Sequence, residues 1–273
     1  MNIVQEKYER SVVSFFGLED AKLSALPIEA NSKLGASHAP QTEGERKEME
    51  GVPYRSLVGK LVYLVTVFRP DLTMAVSTLS RFCNSPGRAH WEAGKKVVRY
   101  LSKTVKEGIV YRNGEQVEAW GYSDASYGTC PDSMRSRSGY AFLSAGGAII
   151  WGSKLQKVVA LSSCEAEYMA LTGAACEAVY LRMLQNDLGV KGSEKGVLIL
   201  ADNQSAIKLA ENPVFHKRSK HIAIKWHFIR ERVDKKEVMV KFVRTKEMAA
   251  DMLTKHASQA VLEMGRIILG LEG

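Results

Sequence analysis

The sequence is poor in cysteine, and its cysteines do not have the spacing of a metal site. Only four occur in 273 residues, and none belongs to a CxxC motif. Disulfide frameworks are typical of secreted chains, whereas isolated cysteines are typical of reducing compartments. We therefore expect reduced thiols in an intracellular protein at all four positions: Cys83, Cys130, Cys164 and Cys176.

Long apolar runs are also missing. No run approaches the roughly 20 residues that a membrane span needs, and the N-terminal stretch MNIVQEKYER lacks the order of basic, apolar and small residues that marks a signal peptide. Hydrophobic residues make up 45% of the chain and charged residues 25%, which is ordinary globular composition. We expect a soluble protein with one large domain or two small ones.

Acidic residues are fewer than basic residues, and the difference is local. The chain has 38 lysines and arginines against 30 acids, a net charge of +8. Residues 213–246 hold eleven of the basic residues against three acids, so this segment carries the whole excess. A solvated helix face and a contact with a polyanion are both open interpretations. The second would place five side chains against nucleic-acid phosphates: Lys217, Arg218, Lys220, Lys225 and Arg230.

The first half of the chain has helical patterns around a polar linker. A short helical pattern ends at Gly17, and residues 30–53 are polar and rich in Gly, Pro and Ser. Apolar residues then recur at helical spacing from Tyr54 to Ser102, interrupted at Pro70 and at NSPG, which predicts about three helices.

The pattern changes after Gly108 to short β-rich runs. IVYRNG and VEAWGYSDA are predicted as two strands joined by an Asn-Gly turn, and SRSGYAFLSAGGAIIWGSK as a hairpin through Gly146 and Gly147. A long helical pattern stopped by Gly189 follows, and then a strand, two helices, a strand, a last helix and an amphipathic tail. The order βββ-α-β-α-α-β-α predicts a mixed α/β sheet with helices on its faces.

Acidic residues recur at the carboxyl ends of the predicted central strands, where ligands bind in α/β folds. Asp124 follows the first central strand, Asp202 ends the strand GVLILAD, Glu165 and Glu167 lie in the first turns of the long helix, and Asp251 lies in the last helix. Each acid alone could be a turn, cap or solvated residue. Four carboxylates on adjacent elements repel one another unless divalent cations lie between them.

The choice between the two helical glutamates follows from capping. Ser162 and Glu165 have the S-x-x-E spacing of a capping box, in which the glutamate turns back to the helix start. Glu167 is therefore the one predicted to face the strand ends.

Several long motifs, in the same order, resemble the Pol polyprotein of copia-type retrotransposons. YSDASYGTCPDSMRSRSGYAFLSAGGAIIWGSKLQKVVALSSCEAEYMAL, LADNQSAIKLAENPVFHKRSKHIAIKWHFIRE and ADMLTK resemble its ribonuclease H domain. QEKYERSVVSFFGLEDAKLSALPIEANSKL, VPYRSLVGKLVYLVTVFRPDLTMAVSTLSRF and HWEAGKKVVRYL resemble the end of its reverse transcriptase and the connection segment. The likeness covers nearly the whole chain.

The resemblance implies a fold and an activity. The fold would be a ribonuclease H-like mixed five-stranded sheet, with three antiparallel strands, further parallel strands and flanking helices, preceded by a small helical segment. The activity would be cleavage of the RNA strand of an RNA–DNA hybrid with two Mg²⁺ ions, for which Mn²⁺ is a possible substitute. The implied metal ligands and catalytic residues are Asp124, Glu167, Asp202 and Asp251.

The resemblance also implies an organisation and a setting. It divides the chain into a thumb remnant with linker (1–53), a helical connection (54–110), a ribonuclease H-like domain (111–256) and an amphipathic tail (257–273). The chain would be a polyprotein fragment, and its partners would be the hybrid and the rest of Pol, including the reverse transcriptase palm. A cytoplasmic virus-like particle and the nucleus are both open as locations.

The sequence departs from the family pattern at two points, and three other interpretations of it are open. No paired-Asp strand is present, so no polymerase site is expected, and the segment RTKEM lacks the histidine that cellular ribonucleases H often carry there. His216 and His221 in HKRSKH suggest zinc only weakly, because no cysteine lies close to them. A non-catalytic nucleic-acid-binding remnant is the main alternative, and a DNA nuclease or integrase-like member of the same superfold is the weaker one.

Overall fold

The first part of the chain is helical. The computed structural model describes residues 1–30, 32–190, 195–211 and 223–273. The three helices predicted between Tyr54 and Ser102 are present, and a further short helix lies inside the predicted linker, where Thr42 and Glu45 form a capping box. The helices of this part are α1 Glu6–Phe15, α2 Glu43–Met49, α3 Tyr54–Val67, α4 Thr73–Ser80 and α5 Arg88–Lys103.

The second part forms the predicted mixed sheet. Its five strands are β3 Trp120–Ser126, β4 Arg137–Ser144, β5 Gly147–Leu155, β6 Val197–Ala201 and β7 Val238–Phe242. They lie in the order β5-β4-β3-β6-β7; β3, β4 and β5 are antiparallel neighbours, and β6 and β7 run parallel to β3. The ribonuclease H-like architecture predicted from the sequence is confirmed. The helices of this part are α6 Ser163–Asp187, α7 Gln204–Glu211, α8 Ala223–Asp234, α9 Asp251–Thr254 and α10 Gln259–Ile268.

The turn between β4 and β5 lies one residue earlier than predicted. Ala145 and Gly146 both have positive φ, 50° and 81°, as a two-residue hairpin turn of type I′ requires. Gly147 is already the first residue of β5. A Cβ at Gly147 would lie 2.8 Å from Cγ2 of Ile109, so this glycine is needed for a close approach rather than for the turn.

The predicted hairpin across Asn113 and Gly114 is wrong. The strand before this turn, β2 Gly108–Val110, pairs instead with β1 Asn2–Ile3 and β8 Leu271–Glu272 in a separate three-stranded antiparallel sheet. A run of three apolar residues indicates extended backbone but not a partner. The two ends of the described chain therefore meet at β2.

The central sheet separates two hydrophobic cores. The core on one face joins the N-terminal helices to the sheet and to α10, with Leu57, Tyr122 and Leu262 among its buried members. The core on the other face lies under α6, α7 and α8 and includes Leu171 and Ile199. Because the first core is shared by segments on both sides of residue 110, the domain boundaries stay predictions.

A buried ionic network fixes α1 to the start of α4. Arg69 is fully buried; its Nη1 lies 3.1 Å from a carboxylate oxygen of Glu9, and its Nη2 lies 2.7 Å from one of Asp71. The Tyr100 hydroxyl also donates to Asp71, and Arg69 donates to the Thr104 hydroxyl. Burial raises the pKa of Glu9 to about 7, with Arg69 opposing that increase.

Neither membrane spans nor disulfides are found in the part of the chain that the structure describes. No helix there combines the length and the apolar character needed to cross a bilayer. The four cysteines are free thiols: Cys130 is buried, Cys83 and Cys164 are half-buried, and Cys176 is exposed.

Candidate acidic active site

Asp124 lies deep in the sheet, beside α9. It is the fifth residue of β3, pairs with Gly139 of β4 and is 1% exposed. A Cβ at Gly139 would come within 2.6 Å of the Thr254 methyl carbon, so the glycine lets α9 lie directly on the sheet. The Thr254 hydroxyl donates a hydrogen bond to Asp124. The buried carboxylate is thereby fixed by the helix that packs on its strand.

Capping separates the roles of the two helical glutamates, as the sequence predicts. The Ser162 hydroxyl accepts a hydrogen bond from the Glu165 N–H at 3.1 Å, and the Glu165 carboxylate accepts one from the Leu161 N–H at 2.9 Å. Glu165 therefore lies at the helix start. The half-buried Glu167 reaches β3, where its carboxylate accepts a hydrogen bond from the backbone of Ala125.

Asp202 follows the last residue of β6. The N-cap role open to it in the sequence belongs to its neighbour Asn203, whose Oδ1 accepts a hydrogen bond from the Ala206 N–H at 3.0 Å. The Thr245 hydroxyl donates to Asp202 Oδ2 at 2.7 Å. Asp202 is thus oriented toward the site rather than used by the helix.

Three of the four predicted acids come together. One carboxylate oxygen each of Asp124, Glu167 and Asp202 lies within 4.8 Å of the other two. Burial raises the pKa of Asp124 to about 6, with Lys255 opposing and Asp251 adding to the increase. Burial also raises the pKa of Glu167 to about 9, and the charges of Asp124 and Asp202 add to it. The cluster holds more negative charge than its surroundings compensate.

Asp251, the fourth predicted acid, lies next to this group and contacts it through a lysine. Asp251 is 8% exposed, and its Oδ1 lies 2.6 Å from Lys255 Nζ. The same Nζ lies 3.8 Å from Asp124 Oδ2. Burial works against the charge of Lys255, but Asp124 and Asp251 outweigh it and raise the pKa of the ammonium.

The donor set fits a hard divalent cation. The three clustered ligands are all carboxylates, and Mg²⁺ prefers oxygen ligands and a small number of carboxylates. A divalent ion would also remove the repulsion that raises the pKa of Asp124 and Glu167.

The predicted basic contacts fall mostly outside the described residues. Lys217, Arg218 and Lys220 lie there, as do His216 and His221, and of Lys225 only the backbone, in α8, is described. Arg230 is 8% exposed, and its Nε donates to the Leu209 carbonyl oxygen at 3.1 Å. This contact joins α8 to α7 and does not test the predicted phosphate contact of Arg230, which stays a prediction.

The residues that orient the acids were not predicted from the sequence. Thr254 and Lys255 stand three and four residues after Asp251 in ADMLTK, so helical spacing was a usable signal. Thr245 comes from a distant segment and left no such signal. The half-buried His256 lies directly after Lys255 and was not among the predicted site residues.

Comparisons with known proteins agree with a transposon origin. The chain is 39% identical over 267 residues to the retrovirus-related Pol polyprotein from transposon TNT 1-94 of Nicotiana tabacum, which covers 98% of this chain and 20% of that protein. It is 48% identical over 133 residues to secreted RxLR effector protein 161 of Plasmopara viticola, which covers 49% of this chain and 94% of that protein. No family model matches the chain.

A solved structure of LC11-RNase H1 from compost matches 50% of this chain and 92% of its own, with 17% identity and a TM-score of 0.38. The chain spans about a fifth of the plant transposon polyproteins that it matches.

Proposed function

Because the chain belongs to the Pol polyprotein family of copia-type retrotransposons, we propose that its acidic site hydrolyses the RNA strand of RNA–DNA hybrids. The observation that carries this proposal is the convergence of Asp124, Glu167 and Asp202 within 4.8 Å near the carboxyl ends of β3 and β6. Clustered carboxylates repel one another unless a cation binds between them or one of them keeps a proton, and phosphodiester hydrolysis is a reaction that such a cation serves.

The proposed ligands are Asp124, Glu167 and Asp202, with Asp251 beside them. Mg²⁺ bound there would neutralise the negative charge that develops on a phosphodiester during hydrolysis. Thr254 and Thr245 hold Asp124 and Asp202 in place by hydrogen bonds, so these carboxylates need little reorganisation.

Glu167 links metal binding to proton release. With its pKa raised to about 9, its carboxyl holds a proton at neutral pH as long as no cation compensates the cluster. The Glu167 carboxyl would lose this proton on holding a divalent cation, because a ligating carboxylate is ionised.

Lys255 supplies positive charge to the site before a cation binds. Its ammonium contacts Asp251 at 2.6 Å and lies 3.8 Å from Asp124. The side chain is 43% exposed, so it can turn toward solvent and leave Asp251 available to a cation. Asp251 is accordingly the acid whose participation depends on a movement.

We further propose the setting that the family implies. The hybrid would arise in reverse transcription, the rest of Pol including the palm would be the partner, and Mn²⁺ would be able to substitute for Mg²⁺. The proposed division is a thumb remnant with linker (1–53), a connection (54–110), a ribonuclease H-like domain (111–256) and a tail (257–273).

Cleavage of a hybrid with a labelled RNA strand tests the proposal. In Mg²⁺ we expect the wild type to cut RNA within the hybrid and to leave single-stranded RNA and duplex DNA intact. Asp124→Asn and Glu167→Gln should each lower the rate by about 100-fold or more, as when a main electrostatic group is lost. Glu165→Gln is the matched control, because it removes a neighbouring charge outside the cluster.

The outcomes separate the alternatives. An Asp124→Asn variant that cuts at nearly the wild-type rate would contradict the assignment of the acids. A wild type that binds hybrid but cuts nothing in Mg²⁺ or Mn²⁺ would favour a non-catalytic binding remnant. Cleavage of duplex DNA would favour a DNA nuclease.

A further inference from the structure

The short helix α9 carries side chains that belong to the acidic site or contact it. Asp251 begins this helix, Thr254 ends it, and Lys255 follows directly. The Thr254 hydroxyl donates to Asp124, and the Lys255 ammonium contacts Asp251. Helix α9 has only four residues, and an isolated helix of that length is not stable in water. Its position is therefore set by the elements that pack against it.

Two glycines on different elements allow α9 to be packed closely on both sides. On one side lies β4, where a Cβ at Gly139 would come within 2.9 Å of the Leu253 Cβ. On the other side lies α10, where a Cβ at Gly265 would come within 2.6 Å of the Met252 sulfur. Residues 252 and 254 stand about 200° apart around a helix, so the two contacts lie on opposite sides of α9.

The Met252 side chain fills the space between α9 and α10. Met252 is 2% exposed, and Gly265 is buried in the interior of α10. Glycine weakens a helix interior relative to alanine, so its presence in a helix of ten residues indicates that room for the methionine is needed. The residue next to Asp251 thus sets the separation of α9 from α10.

Helix α10 is a firm support for this contact. Leu262 and Leu269 are buried in the core that α10 shares with the N-terminal helices. The Leu269 carbonyl oxygen accepts a hydrogen bond from the Ala148 N–H of β5 at 3.0 Å. Arg266 forms an ion pair with Glu107, and β8, which follows α10, pairs with β2. Because α10 is tied to the sheet in this way, a shift of α9 relative to α10 also moves α9 relative to the sheet.

We propose that the contact between Met252 and Gly265 positions α9, and through it Asp251, for binding a divalent cation together with the three clustered carboxylates. Both are positioning residues, since they act through Asp251. Residues 257–273, predicted as a separate amphipathic tail, thereby become part of the site, because α10 supports the helix that bears the fourth acid. This inference rests on the proposed function, since the cation and the ligand role of Asp251 belong to that function.

Mg²⁺ binding to the hybrid-free protein, measured by isothermal titration calorimetry, tests the inference without relying on cleavage. Met252→Ala empties the space beside Gly265 and should weaken Mg²⁺ binding by about 10-fold or more, the loss typical of residues that orient metal ligands. Met252→Leu nearly conserves the volume and should restore most of the affinity. The Mg²⁺ concentration that gives half-maximal cleavage should rank the three proteins in the same order.

Gly265→Ala changes the contact from the other side. Its added Cβ displaces the Met252 sulfur, so Mg²⁺ binding should weaken in this variant too. When Gly265→Ala is combined with Met252→Ala, the loss of binding free energy should be smaller than the sum of the single losses, because both changes act on one contact. The matched control is Gly59→Ala in α3, where an added Cβ would meet no described atom within 4 Å. This control should bind Mg²⁺ like the wild type.

A purely structural role for Met252 makes a different prediction. Leu61→Ala also removes volume from the same core, but Leu61 lies on α3. It should lower the free energy of unfolding in urea and leave Mg²⁺ binding unchanged. If Met252→Ala or Gly265→Ala lost stability in the same way and still bound Mg²⁺ with the wild-type affinity, the proposal would be overturned. Failure of Met252→Leu to recover affinity would overturn it as well.

The two proposals fail separately. Mg²⁺ binding that depends on Met252 and Gly265, in a protein that cuts nothing, would retain the positioning contact and refute the nuclease. Efficient hybrid cleavage together with Mg²⁺ binding that is the same in the wild type and in Met252→Ala would retain the nuclease and refute the positioning contact.

Discussion

Two glutamates one residue apart in sequence have different surroundings. Glu165 accepts a hydrogen bond from the Leu161 N–H at the start of α6, whereas Glu167 joins Asp124 and Asp202. The difference arises because Glu165 stands at the third helical position, from which its carboxylate reaches back to the N–H of Leu161, just before the N-cap Ser162. Hydrogen bonding therefore assigns Glu165 to the stability of the helix start and leaves Glu167 for the proposed chemistry.

Glu165→Ala should lower the free energy of unfolding by about 0.5–1 kcal/mol, because a helix start loses its acceptor. Cleavage should persist. Glu167→Gln should abolish cleavage and leave the free energy of unfolding undiminished. Urea unfolding and hybrid cleavage, measured on both variants, check this; loss of cleavage in Glu165→Ala as complete as in Glu167→Gln would contradict it.

The stability of the metal-free protein should depend on pH through Glu167. Its folded pKa of about 9 lies above the unfolded value of about 4.3, so its stabilising contribution is complete below that value and is lost as pH rises through 9. In EDTA, the wild type should lose stability relative to Glu167→Gln between about pH 5 and about pH 8.

Mg²⁺ at the higher pH should restore the stability of the wild type and should stabilise Glu167→Gln less, because that variant lacks one carboxylate ligand. Thermal unfolding with and without Mg²⁺ measures both effects. If the stabilities of the wild type and Glu167→Gln changed with pH in parallel, Glu167 would not be buried among like charges.

Between elements, the network around Arg69 is a buried ionic link. The network joins α1, the segment before α4 and α5 through Glu9, Asp71 and Thr104, and Arg69 and both acids are almost fully buried. Removing one partner of such a pair leaves the others uncompensated in a medium of low polarity.

Arg69→Met should lower the free energy of unfolding by about 3–5 kcal/mol, since Glu9 and Asp71 would remain buried without their cation. The control is Arg10→Met, because Arg10 pairs with Glu6 on the exposed face of α1 at 2.7 Å. That change should cost less than about 0.5 kcal/mol. Urea unfolding of the two variants measures both free-energy losses. Equal losses in Arg69→Met and Arg10→Met would show that burial of the Arg69 network does not contribute to the cost.

The whole molecule is held by a core that crosses the predicted domain boundaries. Val12 and Val13 of α1 share this core with Leu143 of β4 and with Leu262 of α10. Pairing of β1, β2 and β8 joins the two ends of the described chain as well. Cutting the backbone in one exposed segment should therefore leave the pieces associated.

Limited proteolysis should cut first within residues 41–51. Helix α2 has no buried residue, whereas Leu34 before it is 8% exposed and packs in the core. The two fragments should elute together by size exclusion in native buffer and separate only in denaturant, and the nicked protein should still cleave hybrid. First cuts inside α3 Tyr54–Val67 would contradict this, because they would show that the N-terminal helices open on their own.

Much of the fold could be predicted from the sequence because the signals concerned are local. Apolar periodicity, the glycine stop at Gly189 and the Ser162–Glu165 spacing act over a few residues, and the helices and strands they predict are present. The acids Asp124 and Asp202 were assigned from their positions near strand ends, and the structure brings them together with Glu167.

What the sequence by itself determined is the type and order of the elements and the acids at the strand ends, since backbone preference and burial pattern are properties of short segments. Tertiary structure alone decided that β2 pairs with the two ends of the described chain and that Lys255 lies among the acids. It also decided that Arg137 and Arg230 are buried. The physical reason is that hydrophobic periodicity indicates whether a side chain is buried but not which residues surround it. Those neighbours can come from segments more than a hundred residues away, as Thr254 does for Asp124.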